Sequence, residues 1–181
     1  MFKVSLLALV LVCSVSCSTA SDPAADRANF TQDVQSTIDT YLFKVPQLKR
    51  FFDESYGWAV FPSAGKGGLF VGAGYGRAQV FQRGKAKPLG EATITQISVG
   101  LQIGGQAFSE IIFFRQKRDF EVFIAGKFSF AANASAVAIE TGISTNLDYT
   151  KDVAVFTMAK GGLMLEATVG GQNFSFSWYM P

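Results

Sequence analysis

The sequence contains no histidine, and its two cysteines, Cys13 and Cys17, both lie close to the N-terminus. The rest of the chain therefore has no imidazole base, no thiolate nucleophile and no His or Cys metal ligand. Its acidic residues are scattered singly apart from Asp53-Glu54, so the sequence indicates no pair of carboxylates for acid–base work. We expect a protein that is not an enzyme, has no cofactor and no metal site, and has no disulfide after Cys17.

The chain also has no large net charge of either sign. The sequence has 16 basic and 14 acidic residues, and removal of Lys3 with the N-terminal segment described below leaves a net charge of +1. A nucleic-acid-binding protein needs a strongly basic face. We therefore expect no nucleic-acid partner.

The N-terminus has no apolar run long enough to cross a membrane. The run from Val4 to Val12 is interrupted only by Ser5 and is about half the length of a membrane-spanning helix. Lys3 precedes the run and small residues follow it, which predicts a signal peptide over residues 1–20 and export to a bacterial periplasm or outer membrane. Two processing sites remain open. Cleavage after Ala20 gives a soluble protein, whereas cleavage before Cys17, in a sequence that looks like a degraded lipobox, gives a lipoprotein acylated at Cys17.

The N-terminal part of the mature chain has the periodicity of helices. We interpret residues 21–27 as a linker and residues 28–181 as one domain. Apolar residues recur at steps of three and four from Ala28 to Val45, which predicts an amphipathic helix that ends before Pro46. A second, short helix is predicted from Pro46 to Ser55.

Beyond Tyr56 the pattern is that of strands. All 18 glycines lie between Gly57 and Gly171, and short apolar or alternating runs lie between them. A late helix is predicted from Arg118 to Gly126, and the run from Ala131 to Ile139 favours strand over helix. Frequent glycine within strands favours bulges and bends. The predicted fold is α+β, with N-terminal amphipathic helices followed by a strongly curved, mostly antiparallel β-sheet or partial barrel. The clearest strand runs are Trp58–Phe61, Leu69–Val71, Ala78–Phe81, Thr93–Val99, Ile111–Phe114 and Phe174–Trp178.

Three ordered motifs resemble the SYLF domain family. The first is the block from Tyr56 to Gly76, which includes Tyr-Gly-Trp-Ala-Val-Phe-Pro and Gly-Lys-Gly-Gly-Leu-Phe-Val-Gly-Ala-Gly-Tyr-Gly. The second is Ser98–Gln106, and the third is Lys160–Glu166. The resemblance extends over nearly the whole mature chain. Ala167 departs from it, since the family usually has glycine there.

The resemblance implies phospholipid binding. Eukaryotic relatives bind phosphoinositides and meet the actin cytoskeleton, whereas bacterial relatives are exported proteins or lipoproteins of the cell envelope. No SH3 or FYVE module is present here, so the cytoskeletal role does not transfer. The expected function is that of a peripheral phospholipid-binding protein of the envelope. The alternative is a structural component of the envelope that docks a partner protein through a sheet edge or an aromatic surface.

Candidate lipid-binding residues lie in the predicted helices, because family members use a basic amphipathic N-terminal segment. Lys44, Lys49 and Arg50 would contact the phosphates of an anionic membrane, and Phe51 and Phe52 would enter its interface. In the alternative interpretation, the two phenylalanines pack in the core and the basic residues are only solvated.

Two further lysines occur at equivalent Lys-Gly-Gly-Leu phrases. Lys66 and Lys160 would line one head-group site, although lysines of surface turns are the commoner outcome. The sequence around Lys66 is not a Walker loop, because Gly67 follows the lysine where serine or threonine is required.

Overall fold

The computed structural model describes residues 22–68, 71–99, 104–128, 136–138, 147–160 and 172–180. The predicted signal peptide and Cys17 lie outside these residues. An N-terminal helical layer is followed by a β-sheet, and a short helix lies between two of its strands. The helical segments are α1 (Pro23–Lys44), a 3-10 turn (Pro46–Leu48), α2 (Lys49–Glu54) and α3 (Lys117–Ile124).

Helix α1 begins earlier than the sequence pattern predicted. Asp22 is its N-cap, since the Asp22 carboxylate accepts a hydrogen bond from the Ala24 amide, and Pro23 suits the first turn. Residues 22–26, which we interpreted as linker, are therefore the cap and first turn of the helix, and the linker interpretation is wrong for them. The end of α1 at Lys44 and the following short helix are confirmed.

The fold is α+β, and its sheet is mostly antiparallel, as predicted. Its order is β5-β6-β4-β1-β2-β3-β7; the β5–β6 pair alone is parallel among the described strands. Because β5 and β7 lie at opposite ends of this order, the sheet is open. Its strong curvature stays a prediction. The strands are β1 (Gly57–Gly68), β2 (Val71–Gln82), β3 (Gly90–Val99), β4 (Gly104–Phe114), β5 (Ala136–Ala138), β6 (Val153–Ala159) and β7 (Gln172–Trp178).

Most strand runs that the sequence predicted lie within these elements. Leu69 and Phe70 lie outside the described residues, as does most of the Ala131–Ile139 run, of which Ala136–Ala138 is strand. The late helix is confirmed as α3.

Among the described strand pairings, the register shift occurs at a proline rather than at a glycine. Strand β1 changes register against both neighbours around Pro62, between Val60 and Ala64. Glycine serves close packing instead. A Cβ on Gly57 would lie 2.5 Å from the Phe120 ring, and one on Gly90 would lie 2.1 Å from the Ser177 carbonyl oxygen.

The helical layer covers one face of the sheet, here called the α1 face. Tyr41 is fully buried there; its hydroxyl donates to the Ser109 carbonyl of β4 at 2.8 Å and lies 3.2 Å from the Phe156 carbonyl of β6. Its buried residues are Val34, Tyr41, Leu48, Phe51, Val60, Ile111, Phe113, Ala154, Phe156 and Met158.

The opposite face, here called the α3 face, has an aromatic core. Phe114 of β4 contacts Phe120 and Phe123 of α3, with ring centroids 5.8 and 4.8 Å apart. Phe174 of β7 also contacts Phe61 of β1 at 6.0 Å, although β2 and β3 lie between their strands. These contacts give the domain a second hydrophobic core. No described helix is long and apolar enough to span a membrane.

Two phenylalanines of the helical layer provide a stability test. Phe51→Ala should lower the free energy of unfolding by about 3–5 kcal/mol, because it leaves a cavity among packed rings. Phe43→Ala, at a residue that is 87% exposed, should change it by less than about 0.5 kcal/mol. Urea denaturation followed by circular dichroism measures both. Equal effects would show that α2 is not packed on the sheet as described.

Candidate functional site

The three basic residues predicted from the sequence all lie on the exposed side of the helical layer. Lys44 is the last residue of α1, and Lys49 and Arg50 are the first two residues of α2. Lys49 pairs with Asp53 at 2.7 Å, and the Arg50 guanidinium donates to the Leu147 carbonyl. Lys44 alone of the three has no partner among the described residues. All three cations are exposed, two of them already have partners, and their role in lipid binding stays a prediction.

Phe51 does not lie on that surface. It is fully buried, and its ring contacts Phe113, Tyr149 and Phe156. Phe52 is half-buried against Trp58 and Phe113. The expectation that these rings enter a membrane interface is thus corrected to the core-packing alternative, because both pack against aromatic residues of the sheet.

The exposed aromatic residue of this region is Phe43, which the sequence interpretation missed. It is adjacent to Lys44 and almost fully exposed. The sequence did contain a signal for its exposure, because Phe43 does not lie on the apolar side of the helix that includes Tyr41 and Leu42. We call Phe43, Lys44, Lys49 and Arg50 the helical patch. The patch is grouped by position on α1 and α2, and the Phe43 ring also lines a shallow groove with the carboxylate-bearing Asp39.

Lys160 and Lys66 lie at the same end of the sheet. The Lys160 amide donates to the Ala107 carbonyl of β4, and Lys66 of β1 pairs with Gln106. Lys160 lines a groove of about 430 Å³ between α1 and β1–β2, together with Asp33, Tyr75 and Arg77. The side chain of Lys66 lies outside the described part of the structure, so a shared head-group site stays a prediction.

A larger groove lies near the start of α1. It has a volume of about 780 Å³ and is formed by α1, the β2–β3 turn and the residues after β7. We call it the basic groove. Three of its lining residues are cations. The sequence interpretation missed them as a group because Arg27 is far from Lys85 and Lys87 in the sequence. Its principal lining residues are Arg27, Lys85, Lys87, Leu89, Tyr179 and Met180.

Hydrogen bonds fix the walls of the basic groove. The Tyr179 amide donates to the Leu89 carbonyl, and the Tyr179 hydroxyl donates to the Glu91 carboxylate at 2.9 Å. The Arg27 guanidinium lies 4.5 Å above the Tyr179 ring. Burial, partly offset by Gln79, raises the pKa of Tyr179 to about 12, so its phenol stays protonated near neutral pH.

Arg77 ties α1 to the sheet beside this groove. Its guanidinium lies 4.5 Å from the Phe30 ring, donates to Glu91 at 2.9 Å and pairs with Asp26 at 3.4 Å. Both nearby carboxylates therefore share the single positive charge of Arg77.

A buried carboxyl group lies on the α3 face. Glu110 of β4 is fully buried, and neither of its oxygens has a hydrogen bond of normal geometry. Burial raises its pKa from 4.5 to about 8, and the neighbouring Gln172 of β7 offsets the shift only in part. No group of three or more potential metal-ligating side chains occurs within the described residues.

One relative connects the chain with a known protein. The chain is similar to Beta cell expansion factor A of Aeromonas veronii, with 25% identity over 147 residues. The match covers 78% of this chain and 55% of the relative, so the chain spans about half the length of the protein it matches. No family model matches the chain. The similarity nevertheless agrees with the SYLF motifs and suggests that family.

Glu110 predicts a pH dependence of stability. Its folded-state pKa lies above its unfolded value, so its destabilising effect is absent below pH 4.5, grows as the pH rises and is complete above about pH 8. The free energy of unfolding should fall across this window, on the order of several kcal/mol, and Glu110→Gln should flatten the fall. Urea denaturation at pH 5 and pH 8.5 measures it. An identical pH dependence in wild type and variant would contradict the conclusion that burial raises the pKa of the Glu110 carboxyl.

Proposed function

We propose that this protein is a non-catalytic, peripheral phospholipid-binding protein of the bacterial cell envelope. The observation that supports this most directly is the helical patch, where the nearly fully exposed Phe43 lies beside Lys44. The SYLF resemblance and the similarity to Beta cell expansion factor A are consistent with the proposal.

The patch suits reversible binding to an anionic surface. The Phe43 ring enters the boundary between head groups and acyl chains, while Lys44, Lys49 and Arg50 contact phosphates. The Lys49–Asp53 pair is solvent-exposed, and such pairs are worth at most about 1 kcal/mol, so a phosphate can compete for Lys49. Three cations at about 1 kcal/mol each give weak, salt-sensitive attachment. Stronger attachment requires a second contribution.

Two features complete the proposal. Export follows from the N-terminal signal pattern, and acylation of Cys17 would supply a permanent anchor. The absence of histidine and the full burial of Glu110, away from the exposed cations, support a binding role rather than catalysis.

Flotation with vesicles tests this function. The protein should float with vesicles that contain phosphatidylglycerol at low salt, less at moderate salt, and not with phosphatidylcholine vesicles, because salt screens exposed charges. Phe43→Ser combined with Lys44→Glu should reduce flotation about tenfold or more. Lys117→Glu with Val122→Ser, on the exposed side of α3, is the matched control and should leave flotation unchanged.

The absence of flotation by the wild-type protein under every condition would overturn the proposal. It would favour the partner-docking alternative, for which the exposed Trp178 of the edge strand β7 is the structural candidate. Equal losses in the patch variant and the α3 control would show that the patch has no special role.

A further inference from the structure

The basic groove is a preformed site rather than a chance depression. Its three walls come from segments that hydrogen bonds hold together: Tyr179 pairs with Leu89, the Leu89 amide donates to the Val80 carbonyl, and Thr31 of α1 accepts from Gln79 of β2. Its volume of about 780 Å³ is in the range of small-molecule sites.

The groove is positively charged, and its cations are not engaged in ion pairs among the described residues. Lys85 and Lys87 are exposed and have no ion pair among the described residues, and Arg27 contacts only the Tyr179 ring through its guanidinium. The nearby acidic groups, Glu91 and Asp26, are paired with Arg77. An anion in the groove therefore meets three cations without displacing an existing salt bridge.

The floor of the groove is fixed by a buried amide, that of Gln79. Gln79 is fully buried, and its Nε2 donates to the hydroxyls of Thr31 at 2.8 Å and Tyr179 at 3.2 Å. The Thr31 hydroxyl donates its proton to the Arg27 carbonyl, and the Tyr179 hydroxyl donates its proton to Glu91. Both hydroxyls can therefore only accept a hydrogen bond from Gln79. The amide orientation is thereby fixed, and Gln79 Oε1 is left without a donor.

The remaining wall is apolar. Leu89 is half-buried, and the Met180 side chain is 89% exposed at the mouth of the groove. A phosphate and an attached hydrocarbon are thus matched by cations and apolar side chains.

We propose that the basic groove binds the glycerol-phosphate group of an anionic phospholipid, with the phosphate between Arg27, Lys85 and Lys87. This deepens the proposed function, on which the membrane source of the ligand rests. The groove lies near the start of α1 and Lys44 at its end. Arg27 and Lys44 are 17 positions apart along the helix, or about 25 Å, so a head group in the groove does not contact the end of α1.

Amide NMR titration of the full protein tests the groove. The probes are dihexanoyl phosphatidylglycerol below its micelle concentration, dihexanoyl phosphatidylcholine, glycerol 3-phosphate and inorganic phosphate. The phosphatidylglycerol should shift the amides of residues 85–89 and 179, and phosphatidylcholine should not. Shifts with the lipid alone identify a membrane lipid as the source, and equal shifts with glycerol 3-phosphate identify a soluble phosphate ester.

Two charge-matched variants provide the control. Lys85→Glu with Lys87→Glu should weaken the phosphatidylglycerol affinity by at least about tenfold, whereas Lys117→Glu with Lys127→Glu, which lies outside both proposed lipid surfaces and changes net charge equally, should not weaken it. All four residues are exposed, so folding should be preserved, and the amide spectrum verifies it.

The outcomes separate this inference from the proposed function. Unshifted groove amides, equal shifts in the Lys85/Lys87 variant, or equal shifts by inorganic phosphate and phosphatidylglycerol would overturn the inference, even if vesicle flotation persists. Groove shifts with glycerol 3-phosphate but no flotation would support the groove and overturn the membrane function.

Discussion

The attachment of α1 to the sheet through Tyr41 is the constraint on which the rest of the structure depends. The Tyr41 side chain is fully buried, and its hydroxyl lies within hydrogen-bonding distance of carbonyls on two adjacent strands, β4 and β6. Burial of a hydroxyl is unfavourable unless it is hydrogen-bonded, so these contacts fix the helix in one register. Arg77 provides a second attachment closer to the N-terminus, through Phe30, Asp26 and Glu91.

These two attachments place the ends of α1 at two different cationic surfaces. The start of the helix contributes Arg27 to the basic groove, and its end contributes Phe43 and Lys44 to the helical patch. The sheet beneath both surfaces has a hydrophobic core on each face, and the α3 face contains Glu110, the one fully buried acidic residue among those that the structure describes. A rigid base with separate surface sites suits the peripheral membrane binding that we propose.

The sequence predicted elements better than it predicted sites. Pro46 marked the end of α1, and alternation marked β3 and β7, because both signals are local. Residues 22–26 were misinterpreted because a Pro-Ala-Ala run has no apolar periodicity, although Asp22 caps a helix there. The residue type could not show which of Phe51 and Phe43 is exposed, since both are phenylalanines beside basic residues. The basic groove was not predictable, because Arg27, Lys85 and Tyr179 meet only through the β2–β3 and β3–β7 pairings.

The central claim is that fixed surface sites on an intact fold meet the membrane. Hydrogen–deuterium exchange with and without phosphatidylglycerol vesicles, resolved by segment, tests it most directly, because amide protection reports both contact and unfolding. The account predicts slower exchange at residues 43–50 and 83–89, with unchanged exchange in strands β1 and β4. Faster exchange in those strands would show that the fold opens on the membrane, and unchanged exchange in every segment would show that it does not bind. Either result would contradict the account.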